Sequence, residues 1–263
     1  MSVAEATGTA LPGLAVQGLS KAFGGVQAVK DVSFAVAEGE LLALIGPNGA
    51  GKSTCFNMLN GQIRPDRGSV KLAGEELVGR TPAQIWRRGV GRTFQITATF
   101  PSMTVAENVA MVLMSQHREL FSFTRSAVNR HRDKALALLE MVGMAAQADR
   151  PCGVLAYGDL KRVELAVALG SNPRVLLMDE PTAGMAPRER VALMGLAARL
   201  AHEMGVAVLF TEHDMDIVFS HADRIIVLSR GALIAEGNAE QIRKDPLVLK
   251  TYLGEGQVYG RKE

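Results

Sequence analysis

Apolar and polar positions change their spacing several times along this chain. Leu14–Leu19 and Val32–Val36 (VSFAV) alternate, as half-buried strands do. Leu41–Ile45 (LLALI) is a continuous apolar run, the pattern of a strand buried on both faces. A glycine-rich stretch follows at once, and then helical spacing from about Lys52 to Leu59. Ser69–Leu72 and Val90–Phe94 are expected to be short strands. From about residue 96 to 171 the pattern is helical, at Thr104–Met114, Arg125–Val142 and Asp159–Leu169. Strand–helix alternation then resumes. Strands are expected at Val175–Met178, Val206–Phe210, Arg224–Leu228 and Leu233–Glu236, with helices at Arg188–Glu203 and Met215–His221. Repeated β-then-α units imply an α/β chain with a mostly parallel sheet covered by helices. The expected organisation is a core of about 14–95 and 172–255, a helical unit of about 96–171 within it, and tails at 1–13 and 256–263.

Composition narrows this picture. A length of 263 residues with 48% apolar positions suits a substantial core and excludes a disordered chain. Net charge is +2, so no nucleic-acid partner is expected. The one basic cluster, Arg125, Arg130, His131, Arg132 and Lys134, reads as a solvated helix face. Cys55 and Cys152 have no metal-ligand or disulfide-framework spacing and fit a reducing cytoplasm. No run reaches the roughly 18 uncharged apolar residues of a spanning helix, and Met1–Pro12 lacks the basic start of a signal peptide. Any membrane role needs spans supplied by partners.

Two motifs carry chemistry. Gly46-Pro47-Asn48-Gly49-Ala50-Gly51-Lys52-Ser53 fits GxxxxGK[ST], between a buried strand and a helix that Thr54 continues. Glycines let the backbone curl so that successive N–H groups face phosphates, and the helix start adds its positive end. Lys52 can reach the β- and γ-phosphates, and the Ser53 hydroxyl can ligate Mg²⁺. The second motif is the run Val175–Met178 ending in Asp179 and Glu180. A buried strand places both carboxylates at the sheet's carboxyl edge, where ligands bind. Asp179 suits Mg²⁺, and Glu180 suits orientation or deprotonation of an attacking water.

With these residues the chain resembles the ABC transporter ATPase family over nearly all of residues 14–255. The resemblance implies a P-loop NTPase core of RecA-like type, with an antiparallel β subdomain and an inserted helical subdomain. Leu155-Ala156-Tyr157-Gly158-Asp159 stands at the family's signature loop, which binds the γ-phosphate held by the opposite subunit. The usual LSGGQ is altered here: Ala156 replaces the serine, Tyr157 the first glycine and Asp159 the glutamine. Gln95, in Arg92-Thr93-Phe94-Gln95, matches the Q-loop glutamine that touches Mg²⁺ and water. His213 matches the switch histidine. Phe23 stands where the family stacks an aromatic ring on adenine, and it reads equally as a core phenylalanine. Thr182–Pro187 (TAGMAP) stands at the D-loop, with a subunit-contact role.

Within the family, the chain is most similar to the ATPase subunits of branched-chain amino acid importers and their urea and amide relatives. Four features carry this. They are Gly91–Gln95 with Phe100–Val105, the insertion-like stretch from about Met114 to Arg132, the Tyr157-Gly158 signature, and a tail of Ala235–Gly237 with Tyr252–Glu255. The resemblance implies ATP and Mg²⁺ as cofactors and ATP hydrolysis coupled to transport. It implies transmembrane permease subunits and a second ATP-binding subunit as partners, with an extracytoplasmic solute-binding protein acting indirectly. The expected location is the cytoplasmic face of the plasma membrane. A lipid-type exporter ATPase, a nucleotide-sensing regulator and a non-transport ABC ATPase are the alternatives.

Overall fold

The computed structural model describes residues 13–93, 99–116 and 130–253. Its centre is a six-stranded sheet in the order β10-β9-β3-β8-β7-β6. These strands are Ala232–Gly237 (β10), Arg224–Ser229 (β9), Leu41–Ile45 (β3), Ala207–Thr211 (β8), Val175–Asp179 (β7) and Val90–Thr93 (β6). All neighbours are parallel except the β9–β10 pair. Every residue of β3, β7 and β8 is buried, as their continuous apolar runs require. Side chains alternate across the sheet. Leu41, Ala43 and Ile45 join one hydrophobic cluster, and Leu42 and Leu44 join the other.

A second, antiparallel sheet has the order β2-β1-β4-β5, formed by Val26–Val36, Leu14–Phe23, Arg67–Leu72 and Glu75–Glu76. Its first two strands are longer than their alternation suggests, because pairing continues to Phe23 and Val26 around Gly24-Gly25. That outer half is largely exposed, so no apolar periodicity announces it. Arg224 ties the two sheets together. It donates to both Glu40 oxygens at 2.7 and 3.0 Å and to the Ala35 carbonyl at 2.6 Å, and it also pairs with Glu236.

Helix α1 (Lys52–Leu59) packs Cys55, Phe56 and Leu59 into the cluster shared by both sheets. The opposite cluster takes in α3 (Val105–Gln116), α4 (Arg132–Met141), α5 (Tyr157–Leu169), α6 (Pro187–Met204) and α7 (Met215–His221). Burial pushes the Cys55 thiol up to about 12, the behaviour of a packing residue. Helix α4 covers Arg132–Met141, and the expected helix start at Arg125 falls in residues 117–129, outside the described residues. Three short helices have no sequence-based expectation: α2 (Pro82–Arg87), α8 (Ala239–Lys244) and α9 (Pro246–Leu253). Two of them start in reciprocal capping boxes, Thr81 with Gln84 and Asn238 with Gln241. Six residues give too little periodicity to be seen, and the caps were the available signal. Among the described residues no helix is long and apolar enough to cross a membrane.

Phe56, with no exposed surface, joins α1 to the two sheets. Phe56→Ala should cost about 3–5 kcal/mol in denaturant unfolding. A loss below about 1 kcal/mol would mean that this cluster is not the support of the loop above it.

Candidate functional site

The strand order sets the site. Strands β3, β8 and β7 are adjacent and parallel, so the segments leaving their carboxyl ends emerge side by side. At about 4.8 Å per strand, the loop after β3 and the end of β7 are roughly 10 Å apart. Asp179 and Glu180 therefore meet Lys52 across about 125 residues of chain.

The loop Gly46–Gly51 curls because two glycines allow close backbone approach. A Cβ on Gly46 would lie 2.1 Å from the Leu228 carbonyl oxygen, and one on Gly51 would lie 2.3 Å from that of Ala28. Gly51 is the N-cap of α1 at φ 107°, and it supplies no side-chain acceptor to the first turn. Among the described residues the N–H groups of Lys52, Ser53 and Thr54 have no backbone acceptor, and no acid stands in that turn. Pro47 is half-buried and Ala50 buried, whereas Asn48 and Gly49 face outward. An added Cβ on Gly49 would meet nothing within 4 Å. Open amides, a helix N-terminus and a lysine fit a polyphosphate. The Lys52 ammonium meanwhile donates to the carbonyls of Gly46 at 2.7 Å and Pro47 at 3.1 Å. Burial lowers its pKa, against the opposing charges of Glu180 and Asp179. Ser53 is exposed at the start of the same turn.

Thr211, the last residue of β8, organises both carboxylates. Its hydroxyl donates to Asp179 Oδ1 at 2.8 Å and accepts the Glu180 N–H at 3.0 Å. The Glu180 N–H also lies 3.2 Å from the Thr211 carbonyl. Glu180 takes a φ of 49°, uncommon for a non-glycine residue. Its Oε1 meets His213 Nε2 at 2.7 Å, and the histidine side chain is half exposed. Glu212, buried between them in sequence, accepts from the Thr182 N–H and hydroxyl at 2.9 and 2.6 Å, and from the His213 N–H at 3.2 Å. It fixes the start of the Thr182–Pro187 segment relative to the histidine. Arg92 Nη2 lies 3.3 Å from Asp179 Oδ2. Neither Thr211 nor Glu212 was expected from sequence. The signal was weak: two polar residues ending a buried strand just before His213.

The remaining expected residues lie elsewhere. Gln95 and Phe94 are outside the described residues. Phe23, at the exposed tip of β1, is 48% exposed and so is not a core residue. The Lys21 ammonium sits 5.5 Å from its ring centre. Ala156 is the N-cap of α5, with no side-chain cap bond, and Asp159 lies in that helix's first turn. Tyr157 packs against Gly184, and Gly158 faces the Glu189 carboxylate. These contacts run to the segment after β7, not to the phosphate loop.

Known proteins resemble this chain in sequence and in fold. A family model described as ABC transporter matches residues 29–183, and one described as branched-chain amino acid ATP-binding cassette transporter matches residues 232–258. The high-affinity branched-chain amino acid transport ATP-binding protein BraF of Pseudomonas aeruginosa is 43% identical over 254 residues, covering 93% of this chain and 98% of its own length. The corresponding LivG of Escherichia coli K12 is 41% identical with the same coverage. Among solved structures, the ADP conformation of an ATP-binding cassette of an ABC transporter aligns with a TM-score of 0.81 at 31% identity, covering 93% of this chain and all of that one. A dimeric post-hydrolysis cassette bound to ADP and Pi aligns at 0.72 and 27% identity, covering 86% of this chain and 98% of its own. The chain belongs to the ABC transporter family, as one of its ATP-binding cassettes.

Proposed function

We propose that this chain powers the uptake of branched-chain amino acids by hydrolysing ATP in a dimer of ATP-binding subunits beneath a membrane permease. The observation that carries the proposal is the gathering of Lys52, Asp179, Glu180 and His213 at one sheet edge, in a chain whose full-length relatives are branched-chain amino acid transport ATP-binding proteins.

In this reading the amides from Asn48 to Thr54 hold the phosphates, and Lys52 leaves the Gly46 and Pro47 carbonyls to pair with them. Ser53, Asp179 and Gln95 would hold Mg²⁺, which would neutralise charge on the β- and γ-phosphates. Glu180 orients the attacking water and takes its proton as the new O–P bond forms and the β–γ bridging bond breaks. His213 keeps the Glu180 carboxylate in place and turns toward the γ-phosphate on closure. Phe23 stacks on adenine, in place of its contact with Lys21. The partner's γ-phosphate meets the Ala156–Asp159 stretch at the N-terminus of α5. With no hydroxyl at Ala156, that contact relies on backbone N–H groups.

The permease subunit docks in a cavity of about 550 Å³ whose walls include Ile85, Trp86, Met111, Val112 and Val167. An apolar segment of a membrane protein suits such walls. Docking there fixes the chain at the cytoplasmic face of the plasma membrane. A solute-binding protein on the far side delivers the cargo to the permease, without touching this chain.

Two variants test the chemistry. Glu180→Gln should bind ATP with near-normal affinity and accumulate as a closed dimer in sedimentation. Its phosphate release in the assembled transporter should fall about 10²–10⁴-fold; turnover at the wild-type rate would remove Glu180 from its role. Thr211→Val keeps the side-chain shape but strips a hydrogen bond from Asp179 and from the Glu180 N–H. At about 1.5–3 kcal/mol, kcat should drop roughly 10- to 100-fold, and the melting temperature should also fall, by several degrees, because the lost bond is buried. An unchanged kcat would show that the carboxylates are positioned by other contacts.

A further inference from the structure

On β6, Arg92 stands between the apolar cavity and the carboxylate of Asp179. It lines the cavity on one side, and its Nη2 lies 3.3 Å from Asp179 Oδ2 on the other. Its Nη1 donates to Asn57 Oδ1 of α1 and to Gln62 Oε1, both at 3.0 Å. The pair is little exposed, at 16% for the Arg92 side chain and 11% for Asp179, so solvent screens it weakly. Thr211 already holds the other oxygen, Oδ1. Both oxygens of Asp179 are thus engaged, one by a neutral hydroxyl and one by a cation.

The cationic contact is the looser of the two. At 3.3 Å it exceeds the roughly 2.7–2.9 Å of a strong charge-assisted bond. The buried Arg92 Nε has no hydrogen-bond partner among the described residues, so the guanidinium is incompletely anchored. The adjoining cavity of about 550 Å³ gives it room to move. A divalent cation approaching Asp179 Oδ2, directly or through water, meets like charge until the guanidinium withdraws.

We propose that Arg92 is a positioning residue that latches Asp179 and raises the Mg²⁺ concentration needed to load the nucleotide site. Its release couples the wall of the permease-docking cavity to metal binding. The inference rests on the reading of Asp179 as a metal-holding residue. The arrangement also places the latch three residues before Gln95 in the chain.

The test is a titration of Mg²⁺ at fixed fluorescent ATP analogue, read as nucleotide binding, for the wild type and the variants Arg92→Gln, Arg92→Met, Arg92→Lys and Asp179→Asn. Loss of the guanidinium in the Gln and Met variants should lower the half-saturating Mg²⁺ concentration roughly five- to tenfold. Binding in the presence of a chelator should stay within about twofold of wild type, and Arg92→Lys should restore most of the wild-type requirement. Two neutral variants of different shape guard against a folding defect in one of them. Asp179→Asn should raise the Mg²⁺ requirement; if it does not, the metal reading of Asp179 fails. If it does, and both neutral variants leave the requirement unchanged or raise it, the latch is overturned.

Discussion

The site depends on a backbone that can pass very close to its neighbours. Between β3 and α1 the chain turns from the sheet into a helix within a few residues, and it does so against the carbonyl oxygens of Leu228 and Ala28. Any side chain at Gly46 or Gly51 would overlap one of these oxygens. The same curl leaves the first-turn N–H groups of α1 without acceptors, a cost of exposed donors that an anion removes. The two sheets serve this turn from both sides. The antiparallel sheet supplies Ala28, and the parallel sheet supplies Leu228 and the buried strand from which the loop springs.

Charge then shapes what the curl can hold. Lys52 is partly desolvated and satisfied by loop carbonyls, so its ammonium is held beside the open amides of the loop. Opposite it, Thr211 and Glu212 use one strand end to fix three segments: the carboxylate pair, the histidine and the Thr182 turn. Arg92 brings a cation to the Asp179 carboxylate from the side of the apolar cavity. The carboxylate edge and the cavity proposed above for the membrane partner therefore share Arg92. That sharing is a physical route by which a docked permease and a bound nucleotide can sense each other.

Much of this was readable from sequence where the signal was local. Leu41–Ile45 and Lys52–Leu59 form with the expected bounds, because a fully apolar strand and a glycine-to-helix junction are unambiguous over a few residues. Helix α7 likewise has the expected bounds, with the Asp214 carboxylate capping its first turn. Long-range pairing was not readable. Thr211 bonds Asp179 across 32 positions, and Arg92 reaches it across 87. Only the order of strands β6-β7-β8 brings them together, and alternation cannot give that order. The outer half of the β1–β2 hairpin was missed for a related reason: apart from the buried Val29, most of its side chains meet water, so pairing leaves little mark on the apolar pattern.

The central claim is that the open amides of the Gly46–Thr54 curl receive the phosphates of ATP. Amide NMR of the full chain, followed as Mg·ATP is added, reads those groups one by one. The largest changes in chemical shift and exchange protection should fall on Gly49, Gly51, Lys52, Ser53 and Thr54, and adenosine alone should not reproduce them. Saturable ATP binding that leaves these amides unmoved, with the changes centred on another part of the chain, would contradict the account.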